Sequence, residues 1–594
     1  MNNAANNIDA KSKSLKDILF ERHYKVGYFQ REYKWTRSNV EDLIVDLERS
    51  FNANWEESHT QKEVANYDRY YMGPIVLFQD NAEFSIVDGQ QRLTSFMLLM
   101  IFLNHEYKEV LKIDDKYRGY IYSDYFGTES YNMNIEERNS ILDSLYKNIE
   151  INESSINTES ALNIFERYTD IMELFPNSLL DKNILPLFTN WLTEKLVFIE
   201  ILTQTSESAY TIFETMNDRG LNLTQTELLK SFLLSNVKDE SKIKELDTIW
   251  KNKIRTLNAV TVDNDQDFFK AWLRAKYAIS IRTTEKGAAN EDFEKIGTRF
   301  SSWTQENTKV KEGISTKLLL DIKDPSTFYF FVKSDFDFFS DIYLKLQEYQ
   351  VNNKIPEHRF RFMSFKGIST SLSYPLIMAP LKKTDDEDTI NKKINAVINY
   401  LDCLGVYRLL LNEPITHSSI RTSIYLKVKD FRNNDLNILI DKLKKEVSEY
   451  KSKFLIESYT RFENTSSKYI LARLHQNKFP NIEFEKIYFQ RWKDSFSIYQ
   501  FLKIDNFESE KQNLPKGLKE ILVQHLCSYC IVPKQLVTEL DNLSITRRIE
   551  KLLNEGLLNE FTDKSEINLS NLKDFFILRE RKIKESILDL WKIS

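Results

Sequence analysis

The chain has 594 residues, of which 42% are hydrophobic and 13% aromatic, which predicts about three or four globular domains and excludes a disordered protein. Its net charge of −6 excludes a general electrostatic attraction to nucleic acid, so any contact with DNA must come from local basic patches. With three cysteines, a polar stretch at residues 1–13 and no apolar run of the roughly 20 residues that span a bilayer, we expect a cytoplasmic protein without disulfide bonds.

The first part of the chain alternates short helices and strands around one strongly apolar helix. We expect residues 1–14 to form a solvated arm, after which Ser14 caps a short helix. The pattern then predicts a strand over residues 24–29, an amphipathic helix that Thr36 or Ser38 caps, strands over residues 69–78 and 83–87, and a buried helix over residues 90–104.

Residues 135–237 complete a predicted first domain. Residues 135–190 have a helical and polar pattern, and we expect them to be an insertion over the core, whereas residues 195–202 return as a buried strand. A helix, a turn and a second helix over residues 224–235 follow, with Gly220 in the position of a C-terminal cap. We therefore place the first domain at residues 10–237.

The rest of the chain predicts two further domains. Residues 238–468 have an almost wholly helical pattern, with polar loops at residues 284–298 and 383–390. Residues 469–594 are mixed, with short aromatic segments, a helix-rich stretch and a closing helix that ends near Trp591. The predicted fold class is therefore α+β, with a large all-α domain in the middle.

The strongest local motif is Asp88-Gly89-Gln90-Gln91-Arg92, here called the DGQQR turn, which follows a predicted strand and begins a predicted helix. The amino end of a helix attracts phosphate, a glycine lets the backbone approach an anion, and an arginine supplies forked donors. Asp88 suits Mg²⁺ or a water molecule. The residues alone leave an alternative open, in which Asp88 caps the helix and Arg92 pairs with a surface acid.

Two other segments carry polar groups that suit a nucleotide. In Tyr28-Phe29-Gln30-Arg31 the aromatic rings could stack on a base while Gln30 and Arg31 contact its edge or a phosphate. Taken alone, however, this segment favours a strand edge with Arg31 in an ion pair. Residues 213–220, which include Asn217 and Arg219, supply acidic, amide and guanidinium groups near a predicted helix end. They could complete a metal–phosphate site or form a capping turn.

Taken together, the three motifs resemble the DGQQR-domain family. They are Phe29-Gln30-Arg31, the stretch from Tyr70-Tyr71-Met72-Gly73-Pro74 to Val87 and the DGQQR turn, and residues 213–220. That family includes the N-terminal half of GmrSD-type modification-dependent restriction enzymes and phosphorothioation-sensing defence proteins. The resemblance covers residues 10–237 and departs from the common pattern at Gly27, where many members have proline.

The resemblance implies a fold similar to ParB and sulfiredoxin, a nucleoside triphosphate and Mg²⁺ at the DGQQR turn, and a role in restricting phage DNA. The implied catalytic residues are Asp88, Gln90, Gln91 and Arg92, with Asp88 also holding the metal. The implied nucleotide-binding residues are Gln30, Arg31, Gly89, Thr94, Asn217 and Arg219.

Members of the family commonly end in an HNH-type nuclease domain, and residues 469–594 resemble a degenerate one. Lys486 stands at the position of the family's histidine, and Ser528 and Val537 stand at expected asparagine positions. A ββα-metal nuclease needs a histidine base and neutral metal ligands, and a lysine supplies neither. We therefore expect DNA cleavage to come from a partner protein with an intact nuclease domain.

The remaining motifs are weaker. Cys527 and Cys530 form a single CxxC beside His525 without a second ligand pair, which favours a structural role over a zinc site. Two basic stretches are candidates for contacts with DNA, although chance clustering on the surface explains them equally well. Their residues are Arg359, Arg361 and Lys366 in the first and Lys270 and Arg274 in the second.

Three functions follow as hypotheses. The leading one is a subunit of an anti-phage restriction system that binds and hydrolyses a nucleoside triphosphate, senses modified DNA and passes a signal to a nuclease. The second keeps the fold without the enzyme, as a modified-DNA reader with nucleotide as an allosteric ligand. The third is an active nuclease, which requires a different alignment of the C-terminal part.

Overall fold

The computed structural model describes residues 9–25, 33–80, 83–125, 127–134, 136–149, 151, 156, 159–204, 209, 212, 224–281, 291–308, 318–351, 368–457, 466–482, 484–488, 496–501, 525–558 and 572–593. The chain divides into two compact units, Met1–Asp247 and Thr248–Ser594. Both helices and strands are present, so the predicted α+β class is confirmed. The boundary that the sequence predicts between a middle and a C-terminal domain stays a prediction.

The first unit is built around a mixed sheet. Its strands are β1 (Asp9–Ser14), β2 (Tyr24–Lys25), β3 (Tyr70–Asp80), β4 (Glu83–Asp88), β7 (Met133–Asn134) and β8 (Leu196–Thr203), and a separate hairpin is formed by β5 (Tyr122–Tyr125) and β6 (Thr128–Tyr131). Its helices are α1 (Leu15–Leu19), α2 (Arg37–Asn52), α3 (Gln90–Leu111), α4 (Glu136–Tyr146), α5 (Glu159–Leu174), α6 (Leu185–Lys195) and α7 (Gln225–Ser235).

The sheet has the strand order β1-β8-β3-β4-β2-β7. β4 runs parallel to β2 and antiparallel to β3, β8 runs parallel to β3, and β1 runs antiparallel to β8. β4 therefore lies near the centre of the sheet and leads directly into α3. This connection places the DGQQR turn where β4 ends, beside the first half of the antiparallel strand β3.

The predicted helices of this unit form where the capping and apolar patterns require them. Ser14 caps α1 in a capping box with Asp17, as its position predicts. In α2 the residues Val40, Leu43, Ile44 and Leu47 recur on one face and are buried, which confirms the predicted amphipathic helix. α3 is buried along most of its length, and it is longer than predicted, with 22 residues.

Two predictions for this unit are corrected. The expected solvated arm contains β1, whose polar side chains are exposed while its backbone pairs with β8 from Asp9 to Ser14. The described part of residues 135–190 is mainly helical as predicted, but it is not a polar cover, because Leu142, Ile164 and Phe188 are fully buried in the same core as α3. The apolar faces of α4, α5 and α6 thus belong to the domain itself.

The second unit is mainly helical. Its helices are α8 (Glu240–Asn258, which begins in the first unit), α9 (Asn264–Lys276), α10 (Asp292–Glu306), α11 (Pro325–Phe330), a π-helical turn (Phe331–Phe336), α12 (Asp337–Val351), α13 (Thr370–Met378), α14 (Glu387–Leu410), α15 (His417–Phe431), α16 (Leu436–Glu457), α17 (Ser466–Lys478), α18 (Phe484–Tyr488), α19 (Val537–Asp541), α20 (Ile545–Asn554) and α21 (Leu572–Leu590). Strands β9 (Phe496–Gln500) and β10 (Tyr529–Pro533) pair antiparallel.

The loop predicted at residues 284–298 is wrong for its second half, which lies in α10. Phe293, Ile296 and Phe300 repeat at helical spacing and are fully buried. Asp292 begins the helix and fixes it to the preceding segment, because its Oδ2 accepts from the backbone N–H groups of Ile279 and Ser280 at 2.8 and 2.9 Å. The polar residues around this apolar stripe made a loop the simpler prediction.

The closing helix α21 is held by hydrogen bonds to other helices of its unit. The indole N–H of Trp591 donates to Asp402 Oδ2 at 2.8 Å, and the hydroxyl of Tyr469 donates to Asp402 Oδ1 at 2.8 Å. The carbonyl of Trp591 accepts from the hydroxyl of Tyr407 at 3.0 Å. In the part of the chain that the structure describes, no helix is both long and apolar enough to cross a membrane.

Candidate functional site: the DGQQR turn

The DGQQR turn joins the end of β4 to the start of α3 through one left-handed residue. Asp88 is the last residue of β4, Gln90 is the first of α3, and Gly89 between them has a φ of +103°. A Cβ atom at Gly89 would lie 2.5 Å from Cγ2 of Ile75 on the neighbouring strand. Both the backbone conformation and the close approach to β3 therefore require glycine here.

A bulge in β3 provides the second half of the site. Met72 and Gly73 together lie opposite a single residue of β8, and Gly73 has a φ of +97°. The carbonyl of Met72 accepts a hydrogen bond from Nη1 of Arg92 at 3.0 Å. A Cβ atom at Gly73 would lie 2.6 Å from the same Nη1, so this second glycine leaves the space that the guanidinium occupies.

Asp88 and Arg92 form an ion pair across the turn. Nη2 of Arg92 donates to Oδ2 of Asp88 at 3.1 Å, and the two side chains are 19% and 33% exposed. Burial raises the pKa of the Asp88 carboxyl above its ordinary value, against the opposing effects of Arg92 and of the Gly89 N–H. The alternative to a phosphate site was a turn in which Asp88 caps the helix and Arg92 pairs with a surface acid. Arg92 does pair with an acid, but that acid is Asp88 itself, and the capping position is Gly89.

The other residues of the first turn of α3 point toward protein. Gln90 and Thr94 are buried, with exposed fractions of 6% and 1%. Oε1 of Gln91 accepts from the backbone N–H of Lys34 at 2.8 Å, and Oγ of Ser95 donates to the carbonyl of Gln91 at 3.0 Å. The predicted catalytic roles of Gln90 and Gln91 and the predicted nucleotide contact of Thr94 stay predictions, but the contact with Lys34 also gives Gln91 a part in holding the turn.

Several predicted site residues lie outside the described residues. They are Gln30, Arg31, Asn217 and Arg219 from the two flanking motifs, and Arg359, Arg361 and Lys366 from one basic stretch. Their predicted contacts stay predictions.

Sequence reasoning missed the contacts that α5 makes with residues 33–37. The amide of Asn163 donates to the carbonyl of Tyr33 at 2.7 Å, and Nη1 of Arg167 donates to the carbonyl of Trp35 at 3.1 Å. Both side chains come from the region predicted as a polar insertion. Their spacing of four residues places them on one face of a helix, but a sequence gives no signal of the backbone that such a face contacts.

In the second basic stretch, the two predicted DNA-binding residues have different surroundings. Lys270 pairs with Asp267 at 3.1 Å on the surface. Arg274 instead turns inward, because its Nε donates to the carbonyl of Phe293 at 2.9 Å and its guanidinium lies 5.6 Å from the ring centroid of Tyr425. Burial also lowers the pKa of Arg274. The structure thus gives Arg274 a packing role, whereas a DNA contact by Lys270 stays a prediction.

The C-terminal motifs show packing rather than a ligand cage. Nδ1 of His525 lies 2.7 Å from Sγ of Cys527, and both Cys527 and Cys530 are buried free thiols. Among the described residues, no group of three or more histidine, cysteine, aspartate and glutamate side chains is arranged to hold a metal ion. Lys486 lies in the short helix α18, and Val537 begins the short helix α19. The proposal that this region is a degenerate nuclease stays untested.

The sheet, the left-handed glycine and the helix that follows define an α+β domain whose polar centre is a strand–turn–helix junction. Residues 15–234 match the family described as GmrSD restriction endonuclease, N-terminal domain. For this part of the chain, the match confirms the family predicted from the three motifs. A search of curated proteins found no match to the chain. The matched family is named for a restriction endonuclease.

Proposed function

We propose that the chain binds a nucleoside triphosphate at the DGQQR turn, hydrolyses it, and so couples recognition of modified foreign DNA to cleavage by a partner protein. The observation that carries the proposal is the position of Arg92. Its guanidinium is held at the amino end of α3 by the Met72 carbonyl and Asp88, in the space that the missing side chain of Gly73 leaves for it.

Two features of this arrangement suit phosphate. The first-turn N–H groups of an α-helix have no partner within the helix, and the helix dipole is positive at that end. The guanidinium of Arg92 adds donors in the planar arrangement that phosphate oxygens accept. A phosphate that bound here would compete with Asp88 for Arg92, so nucleotide binding and the Asp88–Arg92 ion pair would be linked.

Asp88 is the residue that fits Mg²⁺. Mg²⁺ in nucleotide sites commonly takes one or two carboxylates together with phosphate oxygens and water, so a single aspartate beside the phosphates is sufficient. When bound, the ion would neutralise phosphate charge and polarise the phosphoryl group. In this proposal Gly89 and Arg92 hold phosphate, Gln90 and Thr94 line the base of the site, and Gln30, Arg31, Asn217 and Arg219 enclose it.

The DNA-directed part of the proposal rests on the family. The matched domain is named for a restriction endonuclease, and we extend this to DNA that carries a modification. The predicted loss of the nuclease histidine at Lys486 leads us to propose a separate nuclease subunit, and the predicted likeness to ParB and sulfiredoxin belongs to the same proposal. Plasmid cleavage by the purified chain alone would contradict the need for a partner.

The test is a measurement of phosphate release and of binding, with each of the four common nucleoside triphosphates and Mg²⁺. The proposal predicts binding of at least one nucleotide and release of phosphate that depends on Asp88 and Arg92. Binding without release would instead support the second hypothesis, in which a non-enzymatic reader of modified DNA uses the nucleotide as an allosteric ligand. Absence of binding would contradict both.

A further inference from the structure

One face of α5 forms hydrogen bonds with the irregular segment at residues 33–36 and with Arg37, the first residue of α2. Asn163, Arg167 and Asp170 have the spacing that places side chains on a common helix face. Asn163 holds the carbonyl of Tyr33, Arg167 holds the carbonyl of Trp35, and Asp170 Oδ1 accepts from Nη1 of Arg37 at 2.5 Å. These contacts fix alternate positions of a segment that forms no helix or strand before Arg37.

The contacts from α5 are buried enough to be stiff. The side chains of Arg167 and Asp170 are 12% and 8% exposed, and Nε of Arg167 donates to Oδ2 of Asp170 at 2.5 Å. Taking two charges out of water costs free energy that an apolar pair would avoid. The benefit is directional: a guanidinium can bind a carboxylate and a backbone carbonyl at once, which an apolar side chain cannot.

The same segment also forms hydrogen bonds with residues near the start of α3. The N–H of Lys34 donates to Oε1 of Gln91 at 2.8 Å, and the hydroxyl of Tyr33 lies 2.8 Å from Oγ of Ser95. Ser95 in turn donates to the carbonyl of Gln91. A continuous set of hydrogen bonds therefore runs from α5, through Tyr33 and Lys34, to the residue next to Arg92.

We infer that α5 positions the DGQQR turn, with Asn163 and Arg167 acting as positioning residues that never touch the nucleotide. They hold the carbonyls of Tyr33 and Trp35, and the N–H of Lys34 between them orients Gln91 and with it the amino end of α3. This inference rests on the proposed nucleotide site, because it assigns α5 the task of keeping that site in the geometry that binds phosphate.

The main test uses Asn163→Ala, with Thr169→Ala as a matched control. Both variants remove a polar side chain from α5, but the Thr169 hydroxyl donates only to the carbonyl of Phe165 in its own helix. We expect Asn163→Ala to weaken nucleotide binding about fivefold to tenfold, since it leaves the Tyr33 carbonyl without its donor. Thr169→Ala should bind like the wild type. Arg167→Ala should weaken nucleotide binding more strongly than Asn163→Ala. If Arg167→Ala does not fold, Asn163→Ala still tests the inference.

A second measurement separates this inference from the proposed function. Amide hydrogen exchange in the ligand-free protein should become faster at the first turn of α3 in Asn163→Ala and stay unchanged there in Thr169→Ala. That result would support the role of α5 even if the wild type bound no nucleotide. Unchanged exchange and affinity in Asn163→Ala, or equal effects of the two variants, would overturn the inference while leaving the proposed site intact.

Discussion

Arg92 connects the two halves of the site because its guanidinium reaches both the bulge in β3 and the carboxylate at the end of β4. The contact with Asp88 lies within the DGQQR turn, but the contact with Met72 joins residues 20 positions apart. The carbonyl of Met72 is available because the bulge removes it from regular strand pairing, and the bulge depends on the left-handed conformation of Gly73. The site therefore includes a strand bulge as well as the five residues of the motif.

The first prediction concerns Gly73. In Gly73→Ala the new methyl group would collide with Nη1 of Arg92 and displace the guanidinium, so we expect nucleotide affinity to fall at least about tenfold. Gly127→Ala is the matched control, because Gly127 also has a positive φ but a Cβ atom there would meet nothing within 4 Å. Equal affinity of the two variants in a binding titration would show that the position of Arg92 is unimportant.

The second prediction concerns Asp88. Because burial raises the pKa of its carboxyl, the folded protein pays for keeping it ionised, and its contribution to stability decreases as the pH rises through the folded pKa. We expect Asp88→Asn to unfold at the same temperature as the wild type or higher at pH 7, since the amide oxygen still accepts from Arg92. Phosphate release should be lost. A clear fall in the thermal midpoint of Asp88→Asn would contradict a functional role in favour of a structural one.

At this scale the sequence predicted the turn but not its partners. The position of Gly89 between a strand and a helix follows from the local pattern, and the structure gives it the expected left-handed conformation. The acceptor role of Gln91 toward Lys34 depends on a segment that is remote in sequence and irregular in structure. Periodicity carries no information about such a contact.

At the scale of elements, strands and helices with a clear apolar period were predicted well. β3, β4, α3 and β8 lie within a few residues of their predicted positions, apart from the C-terminal extension of α3. β1 was missed because its side chains are polar and exposed, and its strand conformation comes from backbone pairing with β8. Edge strands of this kind are specified by a distant partner rather than by their own sequence.

The third prediction concerns the ion pair that joins the end of α1 to the sheet. Nη1 of Arg22 lies 2.5 Å from Oε2 of Glu200 in β8, and both side chains are largely buried. Arg22 also lies over the ring of Phe84, 4.2 Å from its centroid. We expect Arg22→Ala to lower the free energy of unfolding by about 3 kcal/mol in urea denaturation, because it leaves a buried carboxylate without its cation.

The matched control for Arg22→Ala is Lys16→Ala. Lys16 of α1 forms an ion pair with Glu194, and these two side chains are 51% and 44% exposed. An exposed pair adds little to stability, so we expect no measurable change in the control. If the two variants lost the same stability, the account of the buried pair would be wrong.

At the scale of the whole molecule, the sequence predicted a long helical region and the structure contains one. The match of residues 15–234 to the GmrSD domain confirms the family of the N-terminal part. What a sequence could not give is the arrangement of the closing helix, because the buried Asp402 accepts hydrogen bonds both from Tyr469 and from Trp591, which lies 189 positions further along the chain. Such a contact depends on the completed packing of several helices.

The fourth prediction is a pH dependence of stability in the second unit. Burial lowers the pKa of both His475 and His525 to about 4, whereas an unfolded histidine titrates near 6.5. The unfolded state therefore binds more protons between these values. The neutral histidines therefore contribute fully to the free energy of unfolding above about pH 6.5, and this contribution is lost as the pH falls toward 4.

We expect each of these histidines to cost about 1–2 kcal/mol of stability at pH 5 relative to pH 7, measured by urea unfolding. His475→Gln should reduce the difference in unfolding free energy between the two pH values by about 1–2 kcal/mol, the contribution expected of this one histidine. An unchanged pH dependence in that variant would mean that His475 takes up its proton without unfolding the surrounding helices.

The central claim is that the DGQQR turn binds nucleotide through Arg92. The most direct measurement is an equilibrium titration of a fluorescent nucleoside triphosphate with the wild type, Arg92→Ala and Lys108→Ala. Lys108 is the control because it lies on the same helix but pairs with Asp114 on the surface, away from the turn. We predict that Arg92→Ala loses at least about tenfold in affinity while Lys108→Ala binds like the wild type. Wild-type affinity in Arg92→Ala would contradict the account.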